Sequence, residues 1–224
     1  MAIVSSAQGV ASTGVRVPQL RFRRRWILFV MVGEAVGFCV PAAAGALTAG
    51  TAWEQWQTLL LILAGVVEGA LLGAAQALAA RPYDGRPHLW SWIAVTALGA
   101  AVAWTCGLTV SALGRSSTVP LAAFIAAAIV LGVVGLIAMP TLQWASMRST
   151  TPQSVLWIPV NAGAWAVGVV WTLLPFPFID GSTPLRGLIV VYALAGLFMA
   201  ITVAAFTAPL ARRFFAGAEP QKID

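Results

Sequence analysis

Six apolar stretches, each long enough to cross a bilayer, constrain this chain more than any other feature. They run approximately over 26–48, 57–80, 90–112, 121–145, 155–174 and 187–208. A hydrocarbon core of about 30 Å takes about 20 helical residues at 1.5 Å each. Lipid forbids open sheets, because unpaired backbone groups find no water there, so the stretches are predicted to be helices. Composition agrees. Hydrophobic residues make up 60% of the 224 and charged residues only 9%, where a soluble domain carries about 25% charge. The sequence therefore predicts an all-α, polytopic membrane protein. It argues against a soluble enzyme, a disulfide scaffold and a disordered chain.

The sparse charge sets an orientation. Of thirteen basic residues, five (Arg16, Arg21, Arg23, Arg24, Arg25) precede the first span and three (Arg212, Arg213, Lys222) follow the last. With the amino terminus inside, eleven basic residues fall on inner segments, and only Arg115 and Arg186 lie outside. That is a positive-inside pattern, with both termini cytoplasmic and the spans in the plasma (inner) membrane. Residues 1–25 read as a flexible basic cytosolic tail, 26–208 as the transmembrane domain and 209–224 as a cytosolic tail. Ala42, Ala44 and Ala46 offer signal-peptidase options, but the stretch is long for a signal peptide and reads as a retained span. The net charge of +6 is distributed at span margins, so nucleic acid is not an expected partner and the lipid bilayer is. Trp26, Trp90, Trp92, Trp144 and Trp157 fall near the inner boundary, and Trp53 and Trp56 near the outer one. All read as interfacial anchors, while Trp165 reads as a packing residue. Cys39 and Cys106 lie inside apolar segments and read as small hydrophobes. Twelve arginines against one lysine, with abundant Ala, Gly and Trp, suggest a GC-rich bacterial source.

The chain also repeats. Trp26, Trp92 and Trp157 are spaced by 66 and 65 residues, and each is followed ten residues on by Val36, Val102 and Val167. Gln76, Gln143 and Thr207 are each followed five residues later by an arginine and preceded eleven earlier by a glycine (Gly65, Gly132, Gly196). These two anchors predict three tandem in–out–in helical hairpins, at about 26–81, 92–148 and 157–212. A period of two spans keeps the copies in one orientation, giving a pseudo-threefold six-helix bundle. Gly65, Gly69 and Gly73, four residues apart, and Gly33 with Gly37 form small-residue ridges suited to close helix packing. Homo- or hetero-oligomers through such faces are an expectation.

Two acids lie deep in the spans. Glu34 is eight residues from Trp26, about 12 Å, and Glu68 is twelve from Ala80, about 18 Å. Antiparallel neighbours put them within one turn in depth, and no arginine shares that depth. An unpaired carboxylate in hydrocarbon costs at least a few kcal/mol, and taking up a proton removes that cost. Glu34 and Glu68 are thus the candidate proton or monovalent-cation site. The plainer alternative is two neutral groups hydrogen-bonded to neighbouring helices. Neither acid recurs: Glu34 aligns with Ala100 and Trp165, and Glu68 with Gly135 and Met199. Gln76, Gln143, Asn161 and Thr96 are candidate helix-bridging or vestibule groups. Pro140 and Pro159 are expected to loosen the fourth and fifth helices.

The Gln143-Trp144 pair with Arg148, and the run Trp157, Asn161, Gly163, Trp165 and Gly168, resemble uncharacterised bacterial multi-pass membrane proteins. The first hairpin departs from that pattern, with Ala77 after Gln76. The resemblance implies a fold and assigns no activity or residue roles.

Much chemistry is excluded. There is no intramembrane lysine for a retinal Schiff base, and His88 alone cannot supply two haem ligands. No HExxH, Walker A or dinucleotide fingerprint is present, nor an aspartate-rich prenyltransferase motif. Asp84-Gly85-Arg86 stands without the remainder of a phospholipid-alcohol transferase motif. No cofactor, metal or catalytic group is expected. The first functional expectation is small-solute or ion/proton transport on intramembrane carboxylates. The alternative is a noncatalytic membrane subunit or scaffold, and a lipid-modifying enzyme has the least support.

Overall fold

The computed structural model of the protein describes residues 17–175, 178 and 184–216. The first sixteen residues, with Arg16, and the stretch from 217, with Lys222, lie outside the described residues. The six helices are α1 (Val17–Thr48), α2 (Gln57–Ala80), α3 (Leu89–Gly114), α4 (Leu121–Met147), α5 (Trp157–Leu173) and α6 (Leu185–Phe215). Short 3-10 turns, Glu54–Trp56 and Ser154–Leu156, lead into α2 and α5. All six elements are long and apolar enough to cross a membrane, α5 with its leading turn included, and the described residues contain no strand. Each helix packs on its chain neighbours and α6 returns to α1, so the six close into a ring. The outside of the ring is covered by exposed Leu, Ile, Val and Phe, among them Leu28, Leu59, Ile125, Ile129, Val170 and Phe206. Such a surface suits hydrocarbon rather than water.

Two sequence expectations change. The first helix begins at Val17, so Arg21–Arg25 are helical rather than part of an irregular tail. The cause is a buried face one turn long. Phe22 stacks on Trp26 (centroids 5.9 Å) and meets Tyr83 edge-on (4.9 Å). On the adjoining position Arg25 donates to the carbonyls of Leu78 (2.8 Å) and Ala79 (3.0 Å), closing the open end of α2. The second change concerns tryptophan. Trp26, Trp92 and Trp157 are fully buried rather than interfacial. Trp90 (71% exposed) and Trp53 (63%) do sit at the surface, as interfacial anchors must. An indole buried with its N–H paired is a core residue with a polar handle, and periodicity alone cannot separate it from an anchor.

The glycine ridges are consumed inside the molecule. A Cβ on Gly65 would strike the Trp104 indole; on Gly69 it would lie 2.5 Å from Ala100 Cβ and 2.9 Å from Ala97 Cα. On Gly73 it would meet Thr96 Cβ at 2.9 Å and Ile93 Cα at 3.1 Å. One helix face thus seats α2 on α3. Gly33 likewise admits Ala75, and Gly37 admits the Glu68 backbone, seating α1 on α2. Gly99 seats α3 on α4 at Met139, next to Pro140. The fourth helix runs unbroken past Pro140 to Met147. Pro159 stands in the first turn of α5, where its missing N–H forfeits no intrahelical bond.

Gly69→Leu is expected to wedge α2 from α3 and to destabilise by about 1–3 kcal/mol or more. Gly132→Leu, at a position with nothing within 4 Å, is expected to change little. Thermal unfolding of both variants in detergent checks the pair.

Candidate functional site

The candidate site is built from the buried faces of α1, α3 and α5. One helical turn apart from each tryptophan come Val30, Thr96 and Asn161, all fully buried. A further turn brings Glu34, Ala100 and Trp165, the first two buried and the third packed against the core. Spacing of four residues keeps such positions on one helix face.

At one end the interior is filled by aromatics. Phe215 lies 5.7 Å from Trp26, 5.5 Å from Trp92 and 6.1 Å from Trp157, centroid to centroid. The contacts with Trp92 and Trp157 are edge-on, a geometry favoured by the ring quadrupoles. Phe22, Met147 and Phe214 complete the cluster.

Each indole N–H in this cluster finds a side-chain acceptor. Trp26 Nε1 donates to Thr207 Oγ1 (3.0 Å), Trp92 Nε1 to Gln76 Oε1 (2.9 Å) and Trp157 Nε1 to Gln143 Oε1 (2.7 Å). Gln143 Nε2 donates on to Gln76 Oε1 (3.0 Å) and Thr96 Oγ1 (2.9 Å). Thr96 passes its own proton to the Trp92 carbonyl (2.7 Å), and Asn161 Nδ2 reaches Gln143 Oε1 at 3.4 Å. Gln76, Gln143, Thr96 and Asn161 are therefore gathered into one buried network, with Gln143 at its centre. Asn161 Oδ1 is buried without a partner.

The two acids lie deeper. Glu34 is 2% exposed, and neither of its oxygens has a hydrogen-bond partner among the described residues. Glu68 is 8% exposed and accepts from Trp104 Nε1 at 2.7 Å. A Cβ on Gly37, one turn from Glu34, would lie 3.2 Å from Glu68 Cγ, so the carboxyls are neighbours across the α1–α2 contact. Three acceptor oxygens, two from Glu34 and one from Asn161, thus face the interior with no donor. A proton on Glu34, or a small desolvated cation beside it, would offset the cost of burying its oxygens.

Two cavities approach this core from opposite ends. Beyond the aromatic cluster lies a cavity of about 1100 Å³, walled in part by Ala77, Arg81, Arg86 and Phe214. At the other end a groove of about 360 Å³ runs between α2 and α3, lined by Thr58, Ile62, Thr105, Thr109 and Arg115. Thr105 in its wall follows Trp104, whose indole covers Gly65 and donates to Glu68. Neither cavity is lined by Glu34 or Glu68.

Sequence reasoning missed Trp104 and Phe215. A signal for the network was nonetheless present. Gln76 precedes Trp92 by 16 residues and Gln143 precedes Trp157 by 14, so each glutamine faces a tryptophan across a short interhelical loop. Comparison with known protein families, curated proteins and solved structures gave no match.

Gln143→Leu leaves the Trp157 N–H and the Asn161 amide without their acceptor. It is expected to cost about 1–3 kcal/mol for each buried group orphaned. Thr207→Val orphans one buried side-chain donor, the Trp26 N–H, and is expected to cost less. Chemical denaturation in mixed micelles should rank Gln143→Leu as the more damaging.

Proposed function

We propose that this protein is a multi-pass protein of the plasma membrane that passes protons or small monovalent cations, with Glu34 as the central group. The observation that carries the reading is the pair of unpartnered Glu34 oxygens, buried among apolar helices. Intramembrane acids are costly and mark ion pathways in such proteins. Polar groups form a sequence of stations on either side. The proposed path runs from the groove at Thr105 and Thr109 past the Trp104–Glu68 pair and Glu34 to the hydrogen-bonded group of Asn161, Gln143 and Gln76. The Trp–Phe215 cluster closes the path before the larger cavity. In this reading the molecule is held in a closed state, and conduction needs Phe215 and the Trp104 indole to move.

The loop charges support placing the aromatic end in the cytoplasm. Arg23, Arg24, Arg81, Arg86, Arg148, Arg212 and Arg213 all cluster there, whereas Arg115 is at the other end. The three indole bonds support the threefold plan. Each tryptophan donates to the Gln or Thr of the preceding hairpin, with Trp26 closing the circle onto Thr207 of the last. The scaffold reading keeps one observation in its favour: Gly107, Gly132 and Gly163 have nothing within 4 Å and leave small-residue faces free for another helix.

Proteoliposomes with an internal pH dye, driven by a potassium diffusion potential, test transport. Wild type is expected to carry flux, and Glu34→Gln to lower it about tenfold or more. Glu68→Gln is expected to lower it as well. Flux equal in wild type, Glu34→Gln and empty vesicles contradicts the proposal and leaves the scaffold reading.

A further inference from the structure

The larger cavity has a chemistry that ion passage does not use. Its wall joins three separate parts of the chain: the 81–88 loop, the 150–153 turn and the end of α6. Among the described residues three guanidinium groups line it, from Arg81, Arg86 and Arg213, against one acid, Asp84. Arg213 donates to the Gln153 side-chain oxygen, which ties α6 to the 150–153 turn. Among the described residues Arg86 makes one long bond, to the Tyr83 carbonyl at 3.5 Å. The loop is pinned in place at Gly85, where a Cβ would lie 2.6 Å from the Phe214 carbonyl oxygen and 2.9 Å from that of Phe215. Only glycine lets the loop sit so close on α6, and that contact brings Arg86 and Arg213 to one cavity.

The remaining wall is apolar. Leu78, Leu89 and the 71%-exposed Trp90 line the cavity and also belong to the outer surface of the bundle. Leu89 and Trp90 form the first turn of α3, a 26-residue helix whose positive end adds to the arginine field. The cavity therefore presents cations beside a lipid-facing aromatic ledge, at the level where headgroups lie. A volume of about 1100 Å³ exceeds what a bare ion needs.

We propose that this cavity binds a phosphate-bearing anion, with Arg81 and Arg86 as the recognising groups. Guanidinium groups pair with phosphate oxygens two at a time, which a lone cation cannot do. Basic pockets between helices at the cytoplasmic face suit anionic headgroups. The apolar ledge fits the glycerol and upper acyl part of an anionic phospholipid. A free phosphate would use the same arginines and leave the ledge empty.

The test has two arms on the delipidated full-length protein. In the first, phosphatidylglycerol is returned to protein in phosphatidylcholine nanodiscs, and bound lipid is counted by native mass spectrometry. In the second, inorganic phosphate is titrated into protein in neutral detergent, and the thermal midpoint is followed. Saturable retention of phosphatidylglycerol, lowered about tenfold by Arg81→Gln with Arg86→Gln and left intact by Arg115→Gln, establishes the lipid source. A saturable phosphate-induced shift with the same arginine dependence, and no lipid retention, establishes a soluble phosphate source. Binding in neither arm overturns the proposal, and so does binding that the double substitution leaves unchanged.

Discussion

Three buried indole N–H groups impose the constraint on which the rest of the structure depends. Trp26, Trp92 and Trp157 converge on Phe215 in a space too apolar for water to serve them. A buried donor without an acceptor costs on the order of 1–3 kcal/mol. Each must therefore bring an acceptor from a different helix: Thr207 on α6, Gln76 on α2 and Gln143 on α4. These bonds stitch α1 to α6, α3 to α2 and α5 to α4. Glycine-mediated contacts seat α1 on α2, α2 on α3 and α3 on α4. Hydrophobic burial drives little association between helices in lipid, so tight packing and interhelical hydrogen bonds carry it. At the α2–α3 junction this chain applies both devices, the glycine ridge and the Trp92–Gln76 bond.

The same network explains why Glu34 stands out. Glutamines and threonines near it are each consumed by a tryptophan or by one another. Glu68 has Trp104. Among the described residues Glu34 is left without a partner in an otherwise well-satisfied core, as is Asn161 Oδ1. Eight residues after Trp92 and Trp157, where Glu34 follows Trp26, α3 and α5 carry Ala100 and Trp165. A structural role is well served by alanine at such a position. An acid there needs another reason, and that is the physical basis of the functional proposal.

Much of this was legible in the sequence. Apolar runs of bilayer length located the six helices, because helix length and hydrocarbon thickness are tied by a fixed rise per residue. Glycines four apart on α2 marked a close contact, and the partner is α3. Less legible was where α1 begins, because the packing of Phe22 on Tyr83 and the capping of α2 by Arg25 are tertiary. The tryptophans at the span margins read as interfacial anchors, since depth in the chain does not tell inward from outward. Trp104 as the Glu68 donor was invisible for a related reason: the pair is 36 residues apart and depends on how α2 and α3 are rotated against each other.

Phe215 gives the most direct access to the central claim, that a path through Glu34 is closed by the aromatic cluster. Currents through planar bilayers holding Phe215→Ala are the measurement. Removing the ring that all three tryptophans surround should raise proton or cation current above wild type, and adding Glu34→Gln should abolish the gain. A Phe215→Ala protein that folds but conducts no better than wild type, or a double variant as leaky as the single one, would contradict the account.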